Sequence, residues 1–263
     1  MTIRRTLLML GTAALAGLAI QKVGRSDRHK VDTLRRGLAR NWFKERYWRF
    51  LAGGLFVAAE AWEHDDPSQL LSQSGPRSIP VTEIVPGYPD MLLHVPTPRG
   101  DWDTPYNDLV VLAALVRHFG PRRLFEVGTF KGIGTLTLIA NAPEDSHLTT
   151  LDILEHDQRI AFAETPYGPR VTALIADSTD FDTDAYARSM DFIFVDADHR
   201  YGPVKNDSAK AFEMLAPGGV IVWHDYPLFS GVKKALDEIA QTKEIVHLEG
   251  TRLALYRDPV RPR

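Results

Sequence analysis

The chain has 263 residues, 44% hydrophobic and 25% charged, enough for one α/β domain of roughly 150–200 residues plus an additional segment. It contains no cysteine, which excludes disulfides, thiolate metal sites and a cysteine nucleophile. The formal net charge is −3, but the 200 residues after position 63 hold 29 Asp/Glu against 19 Lys/Arg, and an acidic body argues against nucleic acid as a partner.

Residues 1–63 are the basic part, with 12 Lys/Arg against 5 Asp/Glu. Arg4 and Arg5 precede an uncharged run from Thr6 to Ile20, and Lys22, Arg25, Arg28 and Lys30 follow it. The run is shorter than the ~20 residues of a bilayer-spanning helix. Three readings stay open: a membrane anchor, a secretory signal cleaved after Ala14-Leu15-Ala16, and a helix packed on the domain. Denser positive charge after the run favours a body on the cytoplasmic side. Residues 31–63 read as one or two helices in which Trp42, Phe43, Tyr47 and Trp48 alternate with Arg40, Lys44, Arg46 and Arg49. Such interleaving suits a membrane interface, a contact in a homo-oligomer or a cover over a substrate pocket.

Residues 64–105 contain eight prolines, from Pro67 to Pro105. They disfavour long helices and central strands and leave a connecting region, of the kind that forms a lid or a substrate-binding element.

From Tyr106 to the end, short apolar runs alternate with helical stretches, which predicts an α/β fold with a doubly wound, mostly parallel sheet over 106–263. Strands are expected at Arg123–Val127, His147–Leu151, Val171–Ala176, Phe192–Val195 and Val220–Trp223. Helices are expected at about 106–119, from Gly132, and at 156–164, 201–215 and 230–241. Glu244–Leu248 and Arg252–Tyr256, separated by Glu249-Gly250-Thr251, read as a hairpin.

The first of these strands leads into Glu126-Val127-Gly128-Thr129-Phe130-Lys131-Gly132-Ile133-Gly134. Glycines at 128 and 132 permit a sharp turn and close approach to a ligand, and the helix beyond offers unpaired N–H groups to a carboxylate. Dinucleotide enzymes space their glycines G-x-G-x-x-G; the spacing here is G-x-x-x-G-x-G. An NAD-dependent oxidoreductase is thereby disfavoured.

From Tyr106 to Tyr256 the chain resembles class I S-adenosylmethionine (SAM)-dependent methyltransferases. The resemblance implies that Glu126, Gly128, Thr129 and Gly132 surround the methionine part of SAM, that Asp152 holds the ribose hydroxyls, and that Asp177 and Ser178 lie beside the adenine. Asp196 ends the next strand at the same site, and Leu215-Ala216-Pro217-Gly218-Gly219 matches the family's turn before its fifth strand. Because SAM is made in the cytoplasm, the resemblance also favours that compartment, with contact to a membrane through residues 1–63.

Two strand ends are unusually polar, Asp196-Ala197-Asp198-His199 and His224-Asp225-Tyr226. They resemble the metal sites of caffeoyl-CoA-type and catechol-type O-methyltransferases, and Asp196 and His199 share the Asp-x-x-His spacing of macrolide-sugar O-methyltransferases. That likeness implies a divalent cation, Mg²⁺ or Mn²⁺, on Asp196, His224 and Asp225, with His199 removing the proton of a small-molecule or sugar hydroxyl. His224 stands where the family has a carboxylate, and imidazole suits Mn²⁺, Fe²⁺ or Zn²⁺ better than Mg²⁺. The competing readings are a metal-independent N-methyltransferase and a non-catalytic, membrane-tethered SAM-binding protein.

Overall fold

The computed structural model describes residues 71, 74–98, 103–154 and 160–259. The readings made for residues 1–63, as anchor, signal or oligomer contact, lie outside the described residues. Among the described residues, no helix is long and apolar enough to cross a membrane.

The strands are β1 (Arg77–Ile79), β2 (Arg123–Val127), β3 (His147–Asp152), β4 (Val171–Ile175), β5 (Met190–Val195), β6 (Leu215–Trp223), β7 (Ile245–Leu248) and β8 (Ala254–Arg257). The helices are α1 (Val81–Ile84), α2 (Tyr106–Phe119), α3 (Ile133–Asn141), α4 (Ile160–Ala163), α5 (Tyr201–Met214) and α6 (Ser230–Ile239). One eight-stranded sheet runs in the order β1-β7-β8-β6-β5-β2-β3-β4. Only β8 is antiparallel to its neighbours, β6 and β7, so the fold is a doubly wound, mostly parallel α/β sheet with a reversed last strand.

The sheet is apolar on both sides, as a parallel sheet covered by helices must be. Phe192, Phe194, Val220 and Val222 are buried in one cluster with Leu112 and Leu115 of α2. The alternate residues Phe125, Ile193 and Ile221 are fully buried as well. Each such side chain withdrawn from water stabilises the fold by roughly 1.5–3 kcal/mol. α2 starts directly after Pro105 and stops at Gly120, whose left-handed φ of 57° lets its N–H reach the Val116 carbonyl.

Two elements differ from expectation. The proline-rich region contains an edge strand, β1, which pairs in parallel with β7. Pro76 and Pro80 sit just outside it, where a missing donor is tolerated. The expected turn at Leu215–Gly219 is drawn into β6 as a bulge, with Met190 opposite Leu215 and Phe192 opposite Val220. Of the helix expected at 156–164, α4 is the part that falls within the described residues.

Candidate active site

The chain leaves β2 toward β3 on one side and comes back to β5 on the other. The crevice between the ends of β2 and β5 is therefore a topological switch point, where open α/β sheets bind ligands. Hydrogen bonds carry the ladder one step past the strands: Gly128 N–H to Leu151 O at 2.8 Å, Asp196 N–H to Val127 O at 2.8 Å and His224 N–H to Val195 O at 3.1 Å. The ends of β2, β3, β5 and β6 are thus held level.

Gly128 and Gly132 have φ of 103° and 75°. A Cβ at position 128 would strike the backbone carbonyl of Asp196, and one at 132 would meet the Phe162 ring. Packing within the protein already demands both glycines, before any ligand is considered. Gly132 is the N-cap of α3 and, having no side chain, gives the first-turn N–H groups no side-chain acceptor.

Glu126 points inward and is buried. Its Oε2 accepts hydrogen bonds from the hydroxyls of Thr135 and, at 2.6 Å, Thr150, which in turn lies 2.6 Å from the Thr129 hydroxyl. Burial pushes the Glu126 carboxyl up to about 8, although both hydroxyls pull the other way. Asp152, at the end of β3, accepts the Phe130 N–H at 2.7 Å and the Leu154 N–H at 2.9 Å, one on each oxygen. Asp177 follows β4 and accepts the Thr179 N–H at 2.9 Å, while the Ser178 carbonyl is held by Lys210 Nζ at 2.6 Å.

Beyond β5 and β6 lies a cluster of carboxylates and imidazoles. His199 Nε2 is 2.7 Å from Asp225 Oδ2 and 3.9 Å from Asp196 Oδ1. His224 sits between three carboxylates: Nε2 is 3.0 Å from Asp108 Oδ2, and Nδ1 is 3.2 Å from Asp196 Oδ1 and 3.4 Å from Asp225 Oδ2. Asp108 is fully buried and also accepts the Arg252 backbone N–H at 3.1 Å. Asp225 adopts a left-handed φ of 61°, a conformation aspartate tolerates better than most residues. Burial opposes charge on His199, His224 and Asp225. For His224, Asp196 and Asp225 outweigh that penalty and hold the imidazole well above its ordinary value. For Asp225, His224 and His199 hold the carboxyl well below the usual carboxylate range. For His199, Asp225 leads in leaving the imidazole raised.

The donor set fits a divalent cation. One ligand atom each from Asp196, His199 and Asp225 lies within 4.8 Å of the others. His199 Nε2 is buried and close to Asp225 Oδ2 but lacks an aligned hydrogen bond, and Asp225 Oδ1 has no hydrogen bond, only the Arg252 guanidinium 3.5 Å away. His224, expected among the ligands, turns Nε2 onto Asp108 and Nδ1 onto Asp196 and Asp225, the two carboxylates of the cluster. Asp198, in the same sequence run, pairs with Arg200 instead.

Asp108 was missed by sequence reasoning, as were Thr104, whose hydroxyl lies 3.4 Å from Asp196 Oδ2, and Lys131, paired with Asp103.

Residues 125–226 match the family described as a methyltransferase domain. A protein of Mycolicibacterium vanbaalenii, provisionally named O-methyltransferase, is 33% identical over 157 residues, covering 58% of this chain and 67% of that protein. One of Mycobacterium avium with the same provisional name is 33% identical over 159 residues, covering 58% and 68%. In fold, the chain is similar to the O-methyltransferase TomG of Streptomyces achromogenes, involved in tomaymycin synthesis and solved with SAM. The TM-score is 0.50 at 16% identity, covering 78% of this chain and 96% of TomG. The chain belongs to the class I SAM-dependent methyltransferases, in the O-methyltransferase family.

Proposed function

We propose that the protein transfers the methyl group of SAM to a hydroxyl of a small molecule, with a divalent cation held by Asp196, His199 and Asp225. The observation that carries this is the convergence of those three side chains within 4.8 Å, beside the glycine loop. SAM, when bound, supplies a methyl group on a sulfonium, so the protein has to align the acceptor oxygen and remove its proton. A bound cation lowers the pKa of a hydroxyl that touches it. Asp225 and Asp196 contribute the oxygen donors, and His199 contributes the nitrogen that favours Mn²⁺ over Mg²⁺. His224, clamped by Asp108, orients Asp196 from behind. On the cofactor side, Gly128, Thr129 and Gly132 shape the loop for the methionine part, and Glu126 fixes that loop from within. Asp152, at the end of β3, stands at the ribose hydroxyls, and Asp177 and Ser178 flank the adenine. We further propose a cytoplasmic enzyme tethered by residues 1–63 to a membrane or to a second copy.

A second reading has one observation in its favour, the 2.7 Å approach of Asp225 to His199 Nε2. An aspartate so placed orients an imidazole that takes the proton itself, without a cation. In either case His199 must first lose its own proton. Its raised pKa therefore predicts activity that climbs with pH through a value above the ordinary 6.5.

The test is methyl transfer to a panel of phenols, sugars and lipids before and after exhaustive chelation. Activity should vanish with the metal and return with Mn²⁺. Full activity after chelation would discard the cation; His199→Ala should then cut turnover by roughly 10²–10⁴-fold, the usual share of a general base. A protein that gives no heat with SAM in calorimetry would sink both readings.

A further inference from the structure

Lys131 lies in the glycine loop, and Asp103 lies just before α2 in the proline-rich region. Lys131 Nζ is 3.1 Å from Asp103 Oδ1, with side-chain exposures of 9% and 0%. The loop that carries Lys131 is tied down at several points. Phe130 N–H is bound to Asp152, Gly132 N–H to Thr129 O, and the ammonium rests 5.0 Å from the Phe130 ring centre. The segment that carries Asp103 reaches the other half of the site as well: Thr104 contacts Asp196, and Asp108 holds His224. Upstream, the segment is fixed to the far end of α3, where the Asn141 amide bonds both the N–H and the carbonyl of His94 at 2.9 and 2.7 Å.

A buried ion pair contributes little net stability compared with apolar side chains of the same size, because both charges lose their water. Losing one partner, however, strands the other. Such a pair fixes one arrangement and penalises alternatives. Here the arrangement it fixes is the position of the Asp103–Asp108 stretch over the glycine loop.

We propose that Lys131 and Asp103 are positioning residues that pin this stretch across the cofactor loop and so slow the release of SAM. The proposal rests on the glycine loop being the SAM site. Neither residue touches the reacting atoms. The pair acts on cofactor residence and on the SAM KM more than on the chemical step.

The experiment is stopped-flow release of SAM from the full chain, with steady-state kinetics alongside. Asp103→Ala and Lys131→Ala should each speed release, and raise the SAM KM, by about tenfold, within the ordinary range of coupling between sites. kcat should change less than the SAM KM does. The double variant should be no faster than either single one, because the same contact is lost in all three. Lys131→Arg should restore slow release, which a merely structural role for the lysine stem would not require. Asp103→Asn keeps the shape without the charge and serves where the alanine variant fails to fold. Release rates equal to wild type, or additive effects in the double variant, would overturn the proposal while leaving the SAM site intact. A wild type that binds no SAM would overturn the site assignment, and the proposal with it.

Discussion

Burial holds the Glu126 carboxyl near a pKa of about 8, even with Thr135 and Thr150 donating to it. In the unfolded chain the same group titrates near 4.5. Between those values the folded protein keeps a proton that the unfolded chain has released. Stability of the free protein must therefore fall as pH rises through that window and level off above it. The full effect is on the order of 4–5 kcal/mol, at about 1.36 kcal/mol per pKa unit. Glu126→Gln removes the titration while preserving the shape. Denaturant unfolding at pH 5, 6.5 and 8 should therefore find the variant less pH-dependent than wild type; parallel curves would mean that Glu126 is ionised in the folded state. At this scale, sequence singled out residues at or just beyond strand ends, and the structure places Glu126, Asp152, Asp196, His199 and Asp225 there. Asp108 was hidden because its partner His224 is 116 positions away, and nothing near Asp108 in the chain marks it. The division of labour between the two histidines was hidden too, since it depends on where each ring nitrogen points.

Among the elements, the loop from β2 to α3 makes the strictest geometric demand. Gly128 combines a φ of 103° with a Cβ position already filled by the Asp196 backbone. Gly250, in the β7–β8 turn, has a φ of 74° but open space around it. Gly250→Ala should thus cost only the left-handed conformation, about 1 kcal/mol. Gly128→Ala should cost that conformational strain plus a displacement of β5's end, more than about 2 kcal/mol in total. Because that displacement moves Asp196, SAM and metal binding should weaken only in the Gly128 variant. Chemical denaturation and calorimetry of both variants check this; equal costs would refute the close approach. Apolar runs bounded by glycine, proline and polar residues made most strands legible. β1 escaped because three residues between Pro76 and Pro80 carry no periodicity, and only pairing with the distant β7 makes them a strand. The β6 bulge escaped because Pro217-Gly218 reads locally as a turn, whatever sheet surrounds it.

For the whole molecule, the two ends of the sheet have opposite character. The amino ends of the parallel strands open a cleft of about 600 Å³ lined by Arg122, Arg123, Arg188 and Arg257, and it contains none of the site residues. The carboxyl ends gather Asp108, Asp196 and Asp225 around two imidazoles, and this concentration of negative charge exists only in the folded chain. A divalent cation bound there should stabilise the fold by mass action, since the unfolded chain scatters its ligands. At a hundredfold excess over Kd the gain is about 2.7 kcal/mol. For a domain near 200 residues each kcal/mol moves the midpoint by about 2–4 °C, so Mn²⁺ should raise Tm by roughly 5–10 °C. Asp196→Asn and Asp225→Asn should abolish the rise. The rise should also shrink as pH falls, because His199, raised by Asp225 and Asp196 against its burial, holds its proton more firmly than an ordinary histidine and must release it to bind metal. Thermal scans with and without Mn²⁺ at pH 6 and 8 read all three effects without needing the acceptor. A shift that persists in both asparagine variants would locate the cation elsewhere, and no shift at pH 8 would leave His199 to act as a base oriented by Asp225.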